Sequence, residues 1–142
     1  MTIQLVVDGH HLDPDVVKVA WAAAPGRVAL VTDATAAAGR DDGTYALSGV
    51  SLKVRGGAVR NEQGALAGSA LTLDTAVRNV CELGVSVESA LSAVTETPAR
   101  LLGRSDLGRL APGTRADVVV LEDDLTVRGT YLGGDPADRS AA

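Results

Sequence analysis

Two short polar clusters carry most of the chemistry this sequence offers. One is Asp8-Gly9-His10-His11; the other is a lone Asp33 inside RVALVTDATAAAG, residues 27–39. Each follows an apolar run, IQLVV before Asp8 and VALVT before Asp33. Continuous apolar runs read as strands buried on both faces, as in a parallel sheet. The stretch between them, LDPDVVKVAWAAAPG (12–26), reads as a helix. Asp13 can cap it, Pro14 suits the first helical position and Asp15 the positive end of the dipole. Val16, Val17, Ala20 and Ala24 make its apolar face, and Pro25-Gly26 stops it. Strand, helix and strand in about 30 residues form a βαβ unit with parallel strands.

Both clusters therefore stand at carboxyl ends of parallel strands, the edge where α/β sheets and barrels hold ligands. On this reading Asp33 is a rigidly held carboxylate, and the small residues after it leave room for a ligand. The alternative is an N-cap or loop acid. Successive side chains of an extended chain point opposite ways, so at most one of His10 and His11 faces a ligand while the other is structural. A catalytic zinc site uses three protein ligands. Two adjacent histidines cannot supply it, Cys81 lies far off in a helical pattern, and no residue is assigned as a metal ligand. ALAGSALT (65–72) puts a glycine just before an expected helix start, where backbone N–H groups can bind an anion or a carbonyl. GRLAPGTRADVVVL (108–121) reads as a turn leading into a strand, with Asp117 a structural polar residue.

The rest of the chain must position these groups. Its 142 residues suffice for one domain with a real core. With 46% hydrophobic and 22% charged residues the composition is that of a soluble globular protein. Trp21, Tyr45 and Tyr131 are the only aromatics, so the core is built from Val, Leu and Ala. A net charge of −5 without a basic cluster argues against nucleic acid as a partner. No signal peptide or membrane-spanning run is visible, and the lone Cys81 reads as a buried thiol in a reducing, cytoplasmic compartment. The chain starting directly in a core strand hints at a missing upstream part.

Five regions are expected. Residues 1–44 hold the βαβ unit, and 45–66 a small antiparallel excursion turning at Gly56-Gly57. Residues 67–104 hold three helices. The first, 69–85, buries Leu73, Ala76, Val77, Val80 and Leu83 and is C-capped by Gly84. The second, 86–96, is capped by Ser86. The third, 97–103, is capped by Thr97, begins at Pro98 and stops at Gly103. Residues 105–134 return to β structure, and 135–142 form a disordered tail.

Taken in order, DGHH, LVTDATAAAG, LAGS, TPAR and GRLAPGTRADVVVL resemble the N-acetylglucosamine-6-phosphate deacetylases of the amidohydrolase superfamily, from about residue 3 to about residue 134. TPAR and the later string mark the superfamily; DGHH with LVTDA and LAGS narrows it. The resemblance implies an α/β fold, part of a (β/α)8 barrel beside a small β-sandwich. This chain matches only the carboxyl-terminal part: the last two barrel strands with their helices, and the C-terminal sandwich strands. A whole barrel takes about 250 residues.

By the same resemblance Asp33 is the catalytic aspartate, which takes a proton from water and returns it to the departing amine. His11 holds the acetyl carbonyl; Asp8, Gly9 and His10 belong to the same substrate-contact stretch. Leu66, Ala67 and Gly68 match a loop that touches the sugar phosphate through its backbone. The resemblance implies a divalent metal, zinc or iron, but the family's glutamate and two histidine ligands lie on earlier strands and have no counterpart here. The arginine that reaches the phosphate from the neighbouring subunit is also absent. The implied partners are a small phosphorylated amino sugar and a complementing N-terminal half or a homodimer mate, with no nucleic acid or membrane. Two other readings stand beside this one: a non-catalytic remnant, and a dihydroorotase-like or hydantoinase-like enzyme, against which DGHH and LAGS argue.

Overall fold

The computed structural model describes residues 1–47 and 49–137. It opens with the expected βαβ unit. β1 (Ile3–Leu5) and β2 (Val28–Leu30) pair in parallel, Ile3 with Val28 and Leu5 with Leu30. The Val31 amide donates to the Leu5 carbonyl at 3.0 Å and carries the ladder one step on. Both strands stop short of the expected runs because the carbonyls beyond them turn to side chains. Val7 O accepts from Asn79 Nδ2 at 2.7 Å, and Thr32 O from Ser69 Oγ at 2.7 Å.

Between the strands lies α1 (Pro14–Ala23), where the Asp13 carboxylate accepts from the Asp15 amide as a cap should. Val17 and Ala24 are buried, but Val16, placed on the apolar face by the sequence, is 52% exposed. The turn of about 100° per residue puts Val16 on the flank of the Val17–Ala20–Ala24 stripe.

Next comes an antiparallel sheet of β3 (Gly43–Leu47), β4 (Val50–Arg55), β5 (Ala58–Arg60) and β6 (Leu66–Ser69), in that spatial order. Gly56-Gly57 joins β4 to β5 as expected. The sheet runs past residue 66, because Leu66–Ser69 pair with β5 instead of opening a helix. α2 (Leu73–Glu82) begins only after Thr72 and ends at Leu83-Gly84, with Gly84 at φ +95°. Its Ala76, Val77 and Val80 are buried, while Leu73, expected with them, is 42% exposed at the first turn.

α3 (Val87–Val94) is capped by Ser86, which accepts from the Ser89 amide. It runs straight into α4 (Glu96–Leu101), so the residue between them, Thr95, takes the capping position expected of Thr97. The Thr95 hydroxyl donates back to Leu91 O at 2.7 Å, and Thr97 is buried inside the helix. A third sheet follows, with β7 (Val118–Leu121), β8 (Val127–Leu132) and β9 (Asp135–Pro136). β9 replaces the start of the expected disordered tail, since residues 135–136 pair with Tyr131 and Leu132. Residues 138–142 of that tail lie outside the described residues. Asp117 is structural as read: Oδ1 accepts from the Gly133 amide at 2.8 Å, and the carboxylate pairs with Arg115.

The main core packs Leu5, Val7, Val17, Val28 and Leu30 against Val77, Val80, Ala90 and Ala93, joining the parallel pair to α1, α2 and α3. A second, smaller core of Ala37, Leu52, Val54 and Val59 sits under the antiparallel sheet. Aliphatic residues dominate both; Trp21 only flanks the first. Among the described residues no helix is long and apolar enough to cross a membrane.

Among the described residues β1 and β2 pair only with each other, so each keeps one free edge. Leu102, Leu110, Leu132 and Val119 are also more than half exposed. Free strand edges beside apolar surface favour pairing with another chain. Sedimentation velocity on the purified chain should therefore show a mass that rises with concentration. A concentration-independent monomer with a cooperative melt contradicts this.

Candidate active site

The register of β1 and β2 sets the site. Asp8 lies three residues past Leu5, and Asp33 three residues past its partner Leu30. Both acids therefore follow the carboxyl edge of the parallel pair, the edge that binds ligands in α/β folds.

The first cluster folds on itself. Asp8 Oδ1 accepts from the amides of His10 at 2.9 Å and His11 at 3.0 Å, and Oδ2 lies 2.8 Å from His11 Nδ1. The Asp8 side chain is only 6% exposed. Burial pushes its pKa up, but the two amide bonds and the His11 ring outweigh that, and the carboxyl ends below its ordinary value. The two histidines take different partners. His10 Nε2 reaches Gly56 O at 3.2 Å, on the β4–β5 turn, and the Gly56 amide donates to both oxygens of Asp42 at 2.9 Å. His11 keeps Nε2 for other work: a neutral ring giving its Nδ1 proton to Asp8 offers Nε2 as an acceptor, and a doubly protonated ring offers it as a donor.

Asp33 is the opposite kind of acid. It is exposed, and among the described residues nothing hydrogen-bonds its carboxylate. Its backbone is in the left-handed region at φ +49°, a state that costs a non-glycine residue about 1–2 kcal/mol. Asp tolerates it better than most. What holds the strand end there is β6. The Ser69 amide donates to Asp33 O at 2.8 Å, and the Thr35 amide donates to Ser69 O at 2.9 Å, bridging Ala34 with Ser69 in parallel fashion.

The expected phosphate loop Leu66-Ala67-Gly68 is thus a strand running beside Asp33. Gly68 has φ +72°, and a Cβ there would stand 2.6 Å from Thr35 Cγ2 and 2.9 Å from Asp33 O. Only glycine lets β6 come this close. The small residues after Asp33 serve this contact as well: Ala37 is fully buried in the second core.

The antiparallel sheet therefore meets the carboxyl edge at two points, Ser69 against residues 32–35 and Gly56 against His10. Asp8, His10, His11, Asp33 and Gly68 all come to this one rim. Ser69 was missed by sequence reasoning. Its one legible signal, a small polar residue after Ala67-Gly68, reads equally as a helix start. Cys81 takes no part; it is half-buried in α2, and burial together with the Glu88 charge pushes its thiol pKa up. Among the described residues no three His, Cys, Asp or Glu side chains gather to hold a metal ion. Among the described residues the rim does not by itself offer a metal ion its ligands.

The sequence of residues 5–137 matches the model of the amidohydrolase family. The chain belongs to that family. Amidohydrolases generally use a divalent metal. A chain of Escherichia coli K12 named "Putative N-acetylgalactosamine-6-phosphate deacetylase" is 43% identical over 134 residues, 93% of this chain and 80% of its own length. The N-acetylgalactosamine-6-phosphate deacetylase of Escherichia coli O157:H7 is also 43% identical, but only 36% of its length is covered. The crystal structure of N-acetylglucosamine-6-phosphate deacetylase from Pasteurella multocida superposes with a TM-score of 0.91 at 30% identity, over 96% of this chain and 37% of that one. The chain spans little more than a third of the length of the O157:H7 and Pasteurella multocida proteins.

The lowered Asp8 pKa has a direct consequence. The bonds Asp8 makes as a carboxylate stabilise the fold above its unfolded pKa of about 3.9. That contribution falls away as the pH drops through the lower folded value. The Asp8 side-chain carboxyl carbon, followed by NMR, should titrate with a midpoint below the ordinary aspartate value. A midpoint at or above that value contradicts the assignment.

Proposed function

We propose that this chain is the carboxyl-terminal part of a deacetylase that hydrolyses the N-acetyl group of an N-acetylhexosamine 6-phosphate, giving the hexosamine 6-phosphate and acetate in amino-sugar catabolism. One observation carries the reading. Asp33, whose carboxylate has no partner among the described residues, follows the carboxyl edge of a parallel pair, and the other strand of that pair leads to a histidine that Asp8 orients. The relatives' names supply the substrate class: a phosphorylated amino sugar. On this reading β1 and β2 are the last two strands of a (β/α)8 barrel, and β7–β9 belong to a small β-sandwich beside it.

The chemistry assigned to this chain is proton transfer and orientation. Water adds to the acetyl carbonyl carbon while the Asp33 carboxylate takes its proton. The C–N bond then breaks as Asp33 returns that proton to the leaving nitrogen, and acetate departs. A single open carboxylate can do both steps, and such transfer contributes roughly 10²–10⁴-fold to rate. In its doubly protonated form, with Nδ1–H held by Asp8, the His11 ring turns its Nε2–H to the carbonyl oxygen where negative charge develops. Asp8, Gly9 and His10 belong to the same substrate-contact stretch as His11, and Leu66, Ala67 and Gly68 touch the sugar phosphate mainly through their backbone.

The metal half, zinc or iron, is assigned to residues outside this chain, supplied by a complementing amino-terminal portion; a homodimer mate of the complete protein would bring the arginine that reaches the phosphate. The isolated chain is then inactive. A charged sugar phosphate does not cross a bilayer, so the reading places the enzyme in the cytoplasm.

The test is acetate release from N-acetylglucosamine 6-phosphate and N-acetylgalactosamine 6-phosphate, with Zn²⁺ or Fe²⁺. The chain is assayed alone and mixed with the amino-terminal portion of a related deacetylase. Activity should appear only in the mixture, and Asp33→Asn should lower it by about 10²–10⁴-fold. An Asn variant as active as the native chain refutes the role of Asp33. A mixture that never gains activity favours the non-catalytic remnant.

A further inference from the structure

We infer that Ser69 is the positioning residue for Asp33, holding the proton-transferring carboxylate in place through its main chain; this rests on the role proposed above for Asp33. Ser69 is fully buried and commits every polar atom it has to the segment around Asp33 or to its own strand end. Its amide donates to Asp33 O at 2.8 Å. Its carbonyl accepts from the Thr35 amide at 2.9 Å and from Thr35 Oγ1 at 3.3 Å. Its hydroxyl donates to Thr32 O at 2.7 Å and accepts from the Leu71 amide at 2.8 Å. Residues 32, 33 and 35 are thus gripped by the Ser69 side chain and the two peptide units that flank it.

Asp33 needs this grip. Its left-handed backbone is uncommon for a residue with a side chain, and its carboxylate makes no bond that would hold it there. Rotation of Asp33 out of this state would swing the carboxylate off the rim shared with His11. The Ser69 hydroxyl fixes the carbonyl just before Asp33, and the Ser69 amide fixes the carbonyl of Asp33 itself. Gly68, at φ +72°, lets β6 approach closely enough for both bonds. Removing the hydroxyl leaves Thr32 O and the Leu71 amide without their buried partner. The cost falls on the peptide that aims Asp33. A carboxylate that takes a proton at one atom and delivers it at another depends on placement, and a 1 Å error can lower rate by about 100-fold.

The experiment compares Ser69→Ala with Ser69→Thr, which keeps the hydroxyl, in the full chain labelled with 15N and 13C. The HN–Hα coupling and the carbon shifts of Asp33 report its positive φ. In Ser69→Ala this signature should average toward negative φ while the amides of β1, β2 and α1 stay in place; Ser69→Thr should restore it. If the Ala variant does not fold, Ser69→Cys, close in size with a weaker donor, takes its place. A folded Ala or Cys variant with Asp33 unchanged overturns the inference.

In the reconstituted deacetylase assay, Ser69→Ala should lower kcat by about 10–100-fold with KM little changed, and Ser69→Thr should recover most of it. Full turnover by Ser69→Ala beside a dead Asp33→Asn overturns the positioning role and leaves the proposed function standing. Full turnover by Asp33→Asn overturns that function whatever the Ser69 variants do.

Discussion

Three main-chain pairs, Ile3 with Val28, Gln4 with Ala29 and Leu5 with Leu30, decide where the chemistry of this chain stands. Because the pairing is parallel, both strands release their chain at the same edge. The same three-residue offset leads from Leu5 to Asp8 and from Leu30 to Asp33. A slip of one residue would displace one strand along the other and break the packing of Leu5, Val28 and Leu30. The core guards against that shift. Val17 from α1, Val77 and Val80 from α2, and Ala90 and Ala93 from α3 close over Leu5, Val28 and Leu30. With few aromatics available, this register is held by many small aliphatic contacts rather than by a few large ones.

The two acids on that edge differ in everything except residue type. The Asp8 side chain is nearly closed off from solvent and spends both oxygens on His10 and His11, so it aims the His11 ring. Asp33 is exposed, its carboxylate without a partner among the described residues, and its backbone is held from outside by β6. Environment, not residue type, separates the two: one carboxylate has three donors around it, and the other has none among the described residues. The antiparallel sheet makes the second arrangement possible. It docks on the edge through His10 and Gly56 at one end and through Ser69 at the other.

The same architecture explains the unfinished character of the surface. A parallel pair with two free edges, and apolar residues open to water on β7, β8 and the α4 loop, resembles part of a larger core. The chain also matches only about a third of the Pasteurella multocida deacetylase it superposes on.

Much of this was legible in the sequence. The βαβ unit showed in two apolar runs flanking a capped helix, since Asp13-Pro14 and Pro25-Gly26 act within a few residues. The hairpin turn at Gly56-Gly57, the Ser86 cap and the Gly84 stop are local for the same reason. The candidate acid and the His10–His11 pair could be placed at strand ends. The errors lay where a distant partner decides. LAGS reads as a helix start until β5 pairs with it. Thr97 looks like a cap until α3 runs on to Thr95, and Asp135–Pro136 look like a tail until β8 offers an edge. Sequence by itself determined the elements and the residue types at the edge, because propensity and capping are properties of neighbours along the chain. Only the tertiary structure decided which acid is locked and which is free, and that Ser69 holds Asp33 from 36 positions away. Those outcomes depend on hydrogen bonds between segments that meet only once the core has formed.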